Sequence, residues 1–514
     1  MPDLALSGAV FALLYLLLVF GGPSALFRDS DAGWHIRAGE RMIASRTLPV
    51  VDSFSFSKSG APWIAWEWAA DIAVGGVYRA SGLAGVAFLY CLAIGASVWI
   101  WFRLNWAAGG NFLIACLFAA PMLSTTNLHW LARPHVLGWL FALGAVWFCE
   151  ALRGANDVRR AALGVALISA VWANVHGSFV LGPAIFFVYA LGAWVRPLIW
   201  GGTIWGGTIW GRTIWGGTTR VPAGNFFVYG ITALAGSLVN PHGLNLHRHV
   251  FAYLADSALL DRIGEFQSFN FHAEGSAQIA AALLIGFAGG CAAISARKPE
   301  RFLLSLMLTA GALRSARMLP VAALLLLPLA NGSISDVLTY ASVAPRLRRA
   351  LDRVLDYGAG LRAMDRGMNG VALVPILALL LFGVVHALKP VFPPDQFPVA
   401  AASAVKALPA DAKLFSSDKF GGYLIYRFAG ERKVFFDGRS DFYGAEFLKS
   451  YSRLVQARPG WSEEFARHGF THALIPPDYA LVAALEAEGW KETYRDRTAV
   501  LLKSPQAGLK GPQA

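Results

Sequence analysis

Eleven stretches of this chain, 4–26, 83–102, 111–127, 135–150, 161–175, 178–195, 224–239, 276–295, 302–316, 318–332 and 370–388, run almost without charge. A hydrocarbon layer of roughly 30 Å takes about 20 apolar residues in helix, because every backbone polar group in lipid must be satisfied within its own segment. Several stretches fall short of that length, yet their recurrence leaves little room for any other architecture. The expected fold is an α-helical polytopic membrane protein of about eleven transmembrane helices over 1–388. Composition agrees, with 56% hydrophobic and only 15% charged residues, far from the usage of a soluble domain.

The net charge of +12, from 44 Lys+Arg against 32 Asp+Glu, does not call for nucleic acid. In a chain of this kind basic residues anchor cytoplasmic loops. With the N-terminus inside, those loops hold Arg103, then Arg153, Arg159 and Arg160, then Arg196, then Arg297, Lys298 and Arg301, and finally the basic run from Arg346 to Arg366. The same threading puts Asp29, Asp31, Asp52, Glu67, Arg133 and Glu265 outside, with the histidines on or near that side and everything after Lys389. Cys91, Cys116, Cys149 and Cys291 lie inside apolar stretches, so no disulfide framework is expected. No basic leader or A-x-A-like site precedes Phe27, and 4–26 is read as a retained helix.

Two segments depart from this pattern. Residues 199–218, "IWGGTIWGGTIWGRTIWGGT", place a Trp every five residues, a period that fits neither helix nor strand, and read as a low-complexity insertion. The prolines of 389–398 mark a linker, and 399–505 has the composition of a soluble α/β domain, followed by a disordered tail at 506–514. "AKLFSS", "KVFFDG", "THALIP" and "TAVLLK" read as strands and 443–456 and 478–488 as amphipathic helices, an alternation that favours a mostly parallel sheet.

The outer loop 28–68 carries the first candidate chemistry. Asp29 and Asp31 are two apart, so in extended chain their carboxylates share a side and could hold a divalent cation or orient an acceptor hydroxyl. Alternatively Asp31 caps an interfacial helix over 33–44 whose Trp34 and Ile36 turn toward lipid. Asp52 follows, then Glu67 between Trp66 and Trp68, where flat indoles beside a carboxylate suit a sugar ring or simply an interfacial belt. Further polar clusters at outer helix ends supply Arg133, His135, His176, His242 and Arg317. Ionisable groups there are costly unless paired or hydrated, which points to a polar cavity opening outward. The arginines suit forked phosphate binding, or snorkelling to headgroups.

With "RDSDAGWHIRAGERM", "LPVVDSFSFSKSGAPWIAWEW", "ARPH", "WANVHGSF", "VNPHG", "SSDKFGGYLIYRF" and "VFFDGRSDFYG" taken together, the chain resembles a bacterial family of uncharacterised polytopic membrane proteins related to the GT-C glycosyltransferases. The resemblance spans nearly everything except the pentapeptide insertion. It implies an essential acid just after the first helix, here Asp29 or Asp31, and a polyprenyl-phosphate-linked sugar as donor. Where relatives show Trp-Trp-His, this chain has Gly33-Trp34-His35. "SSDKFGGYLIY" is distantly similar to an acceptor-binding motif of oligosaccharyltransferases, but Ser416 and Ser417 replace its tryptophans and only Asp418, Gly421 and Tyr423 match.

The expected protein is then a multi-pass glycosyltransferase of the bacterial inner membrane with a periplasmic C-terminal domain, using Asp29 and Asp31 catalytically. His35, Asp52, Glu67, Arg133, His135, His176, His242, Arg317, Asp418, Asp437 and Arg439 are its expected substrate contacts. Mg or Mn between Asp29 and Asp31 is allowed for, membrane lipids are partners, and the acceptor is open. The competing expectations are a non-catalytic assembly partner for cell-surface polysaccharide and a lipid-linked sugar flippase.

Overall fold

A computed structural model describes residues 1–152, 157–201 and 222–506. Most of the pentapeptide insertion and the tail 507–514 lie outside the described residues. Helices occupy the positions of all eleven apolar stretches, but among the described residues only seven are long and apolar enough to cross a membrane, or eight if the bent pair Pro345–Gly367 and Val371–Ala387 is one span. Of the eleven expected spans, seven or eight meet that length and apolarity among the described residues. Leu4–Leu18, Ala223–Ser237 and Pro299–Arg314 are helical at 15, 15 and 16 residues and fall short of a full crossing. Large apolar side chains stand exposed along the spans, Leu163, Leu167, Ile168, Leu284 and Leu379 among them, as a lipid-facing surface requires.

Two backbone features aim the candidate residues. The first helix stops at Leu18, and Gly21 and Gly22, at φ +96° and +72°, take left-handed conformations that only glycine adopts without strain. They turn the chain into a short 3-10 stretch, Pro23–Phe27, that leads straight into Asp29. The helix Trp68–Ala107 has 40 residues, about 60 Å at 1.5 Å per residue and twice the hydrocarbon thickness. Ser81 and Gly82 leave helical geometry, so the part before them is a separate arm and only the part after them crosses.

That arm packs on the helix Asp31–Ser45. Backbone meets backbone: a Cβ on Gly39 would lie 1.8 Å from the Asp71 carbonyl oxygen, and one on Gly75 2.6 Å from Glu40 N. Trp34 and Ile36 are buried, at 6% and 0% exposure, so the expected lipid-facing surface of this helix is instead a core surface. Its other side meets the C-terminal helix Asp418–Arg427, where a Cβ on Gly33 would strike the Gly422 carbonyl at 2.2 Å. Gly33 is thus required by packing.

The C-terminal sheet has four strands, β1 (Leu414–Ser416), β2 (His472–Ile475), β3 (Lys491–Arg495) and β4 (Val500–Lys503), in the order β1-β2-β4-β3. Only β1 and β2 run parallel; β2 with β4 and β3 with β4 are antiparallel, which corrects the expected mostly parallel sheet. "KVFFDG" is not a sheet strand. Val434 bridges Ser55 of the first loop, with Val434 N–H donating to the Phe54 carbonyl at 3.0 Å. Phe392, Phe397, Phe420 and Tyr423 belong to the same apolar core as the membrane helices, so this unit is fastened to the bundle.

The two ends of the bundle differ. One gathers Arg301 with Glu150 at 2.6 Å, Arg196 with Glu300 at 2.5 Å and Lys298 with Asp336 at 2.6 Å, residues of the basic loops. The other end carries the acidic first loop, the C-terminal unit and the cavity between them.

Candidate active site

A cavity of about 620 Å³ lies where the first loop, the Pro134–Ala151 helix end, the 262–266 and 315–318 segments and the C-terminal unit meet. That volume is within the range of pockets that enclose a small organic ligand. Asp29, Asp31, His35, Glu67, Arg133, His135, His176, Arg317, Asp418 and Arg439 all line it. So do the indoles of Trp34, Trp63, Trp66 and Trp139.

Arg133 is the centre of one half. It precedes Pro134, which holds it extended (φ −131°, ψ 149°) at the start of a helix. Its Nη1 donates to Asp29 Oδ2 and Glu265 Oε1, both at 2.8 Å, and Nη2 lies 2.9 Å from Asp31 Oδ2. Burial opposes the guanidinium charge, but the three carboxylates outweigh it and hold its pKa well above the ordinary value. Asp31 is pushed the other way, up to about 7, by burial and by Asp29, Glu265 and Asp437, with Arg133 working against them. Glu265, despite burial, is held well below the usual carboxylate range by Arg133 and Arg317. Asp29 also accepts the Asp31 backbone N–H at 2.8 Å, in the turn that leads into the Asp31–Ser45 helix; Ser30 holds the cap position, so Asp31 is the helix's first residue and not its cap.

Glu67 is the centre of the other half. His35 Nδ1 lies 2.6 Å from Asp71 Oδ1, and its Nε2 lies 3.8 Å from Glu67 Oε2. In His176, Nδ1 accepts the Ser178 backbone N–H at 3.1 Å, which assigns its proton to Nε2, 3.4 Å from Glu67 Oε1. Burial pushes Glu67 up to about 7 and, outweighing Glu67's own charge, pulls His35 down to about 4. His176 is lowered well below its ordinary value by burial and by Arg317 and Arg133. The result is a neutral imidazole on each side of a carboxyl that gains and loses a proton near neutral pH.

The C-terminal segment 437–441 closes the cavity over Asp31. A Cβ on Gly438 would lie 1.8 Å from Asp31 Oδ1, so glycine is what allows this approach. Arg439 fixes the segment: its Nε and Nη2 take Asp437 as a fork at 2.8 and 2.7 Å, and Nη2 reaches Asp52 Oδ1 at 2.8 Å. Its guanidinium also lies 4.7 Å from the centre of the Trp63 ring. Tyr253 to Ser440 (3.1 Å) and His249 to Asp441 (3.0 Å) tie the far edge to the Leu244–Ala255 helix.

Three expected contacts stand elsewhere. Asp52 and Asp437 are buried beneath the cavity wall as counter-ions of Arg439, and Asp52, despite burial, is held low by that arginine and by Ser55 and the Phe54 N–H. His242 lies in the turn after Ala223–Ser237, its N–H bonded to Asn240 Oδ1, and does not line the cavity. Asp418 is at the rim, where the Tyr451 hydroxyl donates to it at 2.9 Å. Sequence reasoning gave no role to Asp71 or Glu265. Asp71 follows Glu67 by four residues, the spacing of one helix face, and that signal was available. Glu265, in the 3-10 turn Gly264–Phe266, stood out only as an acid on the outer side.

Mg or Mn does not fit between Asp29 and Asp31. Their inner oxygens are turned on the Arg133 guanidinium, which already supplies a positive charge at that point. Among the described residues no group of three or more His, Cys, Asp or Glu side chains is arranged to hold a metal ion.

No protein-family profile matches the chain, and no curated protein matches it in sequence. Among solved structures it is similar to the Archaeoglobus fulgidus oligosaccharyltransferase in its apo form, with a TM-score of 0.54 over 92% of this chain and 69% of that one, at 13% identity. At that identity the likeness is one of fold. The chain shares that fold: seven or eight helices long and apolar enough to cross a membrane among the described residues, with a small C-terminal sheet.

Proposed function

We propose that this chain is a glycosyltransferase that moves a sugar from a polyprenyl-phosphate-linked donor to an acceptor hydroxyl, on the periplasmic face of a bacterial inner membrane. The observation that carries this reading is the cavity itself: two proton-accepting carboxyls, Asp31 and Glu67, face one 620 Å³ space at the end of apolar helices, walled by indoles and arginines. The fold likeness to an oligosaccharyltransferase supports it, as does the concentration of cations at the opposite end of the bundle.

In the reaction the acceptor oxygen forms a bond to the anomeric carbon, the bond from that carbon to the phosphate oxygen breaks, and the acceptor's proton passes to a carboxylate. Asp31 and Glu67, each near 7, are partly ionised at neutral pH, the condition in which a general base is most effective. Asp29 holds Arg133 and the helix start, and so positions Asp31. Arg317, held only loosely by Glu265 at 3.5 Å, is the cation best placed to take the charge left on the lipid phosphate. Flat indoles at Trp34, Trp63 and Trp66 offer the faces on which a sugar ring stacks.

The test is to purify the protein from its own membranes, identify bound lipid by mass spectrometry, and follow sugar transfer from that lipid. Asp31→Asn and Glu67→Gln should cut turnover by about 100-fold or more, the usual contribution of a general base, while lipid stays bound. Full turnover in both would exclude these roles. Lipid retention with no transfer by the wild type would favour a non-catalytic assembly partner. A reporter fused after Gln396 that is active in the cytoplasm would overturn the sidedness.

A further inference from the structure

The helix Pro345–Gly367, at the end of the bundle away from the cavity, has three distinct faces. Arg348, Gly358, Arg362 and Asp365 look to the bundle. Arg348 donates to the Leu338 carbonyl at 3.0 Å, Arg362 to the Trp106 carbonyl at 2.7 Å, and Asp365 accepts from Leu4 N and Trp106 Nε1 at 2.6 and 2.9 Å. One position back in each turn runs a second line, Leu347, Ala350, Val354, Tyr357, Leu361 and Met364, spaced 3, 4, 3, 4 and 3 apart. That is a continuous apolar stripe. Among the described residues nothing covers it: Leu347, Val354, Tyr357 and Met364 are 52%, 52%, 63% and 62% exposed. A third line, one position back again, carries the exposed Arg346, Arg349 and Arg353 and then Asp356, three positive charges to one negative.

Six arginines and three aspartates exclude this helix from hydrocarbon. The apolar helix that follows it, after a bend of 54°, does not share that composition. An apolar stripe set between a protein-bound face and an arginine face, running into a short apolar helix, is the arrangement of a helix lying in the plane of the membrane surface. We propose that Pro345–Gly367 is a binding surface for anionic lipid, its stripe sunk into the headgroup–acyl boundary and Arg346, Arg349 and Arg353 on the phosphates. Charge selects lipid over a second copy of this chain. Two such stripes brought together would bury six arginines of this line against two aspartates, whereas an anionic leaflet is complementary to their net positive charge.

The test uses the full chain with the exposed Cys116 and Cys291 replaced by alanine and the buried Cys91 and Cys149 kept. Val354→Cys, Met364→Cys and Arg353→Cys variants carry a bimane fluorophore in phosphatidylglycerol nanodiscs. Brominated acyl chains should quench the label at 354 and 364 about three-fold more than at 353, and aqueous iodide should show the opposite order. Equal iodide quenching at all three positions would overturn the proposal. So would protection from both quenchers together with cross-linking between copies at 354, which would make the stripe a protein interface. A variant with Arg346, Arg349 and Arg353 all changed to Gln should retain fewer phosphatidylglycerol molecules in native mass spectrometry, and an unchanged count refutes the anionic preference.

Discussion

Replacing Glu67 by glutamine should stabilise this protein at alkaline pH while removing its turnover. The carboxyl is buried between two neutral imidazoles, and its folded-state pKa near 7 stands above the 4.5 of an exposed glutamate. Between those values the folded protein holds a proton that the unfolded chain has released. Stability therefore falls as pH rises through that window, by about 1.4 kcal/mol for each pH unit, or about 3 kcal/mol in all above pH 7. Glutamine never ionises and keeps the volume. Its advantage over the wild type should be absent below pH 4.5 and fully developed near pH 8. His35 contributes with the opposite sign, since its folded value near 4 lies below 6.5 and its stability is lost as pH falls through that range. Because Glu67's charge raises the His35 value, His35 differs between the two proteins at acid pH, and the comparison is read above about pH 5, where folded His35 is neutral in both. For a chain of this size about 3 kcal/mol corresponds to about 3 °C in Tm. Tryptophan-monitored melting of wild type and Glu67→Gln in nanodiscs from about pH 5 to about pH 8.5 reads it directly. A Tm difference that stays flat or falls with pH would refute the protonation state and, with it, the case for Glu67 as a proton acceptor.

Arg439→Met should lower stability by about 3–5 kcal/mol, because it leaves Asp52 and Asp437 buried without their cation, and Arg439→Lys should recover little, since a lysine cannot form the two-armed contact with Asp437. Melting temperature of the three proteins decides this. Gly33→Ala should push the Asp31–Ser45 helix off Asp418–Arg427 and abolish transfer, whereas Gly164→Ala, which meets nothing within 4 Å, should leave both melting and transfer unchanged or slightly raise stability. Transfer should persist in excess EDTA, because Arg133 supplies the charge between Asp29 and Asp31; a loss restored by Mg or Mn would show that the arginine yields its place to a metal.

The sequence was enough to place the helices, because burying a backbone in lipid demands long apolar runs and such runs are local. Asp29, Asp31 and Glu67 were legible for the same reason: acids beside apolar segments stand out against what lipid tolerates, and all three line the cavity. The tertiary structure alone decided what those acids do. Arg133 and Glu265 are 132 residues apart, and their pairing across the cavity turns a suspected cation site into a guanidinium with three partners. Asp52 and Asp437 looked like substrate contacts, yet Arg439 takes them both below the surface. "KVFFDG" has the residues of a strand but pairs with the first loop, so the sheet loses a strand there and gains β3 from Lys491–Arg495, a polar stretch with no apolar run. Hydrophobicity acts on each segment by itself, whereas charge is neutralised by whichever partner folding brings within about 3 Å, and that choice is written in the packing of distant segments rather than in any one of them.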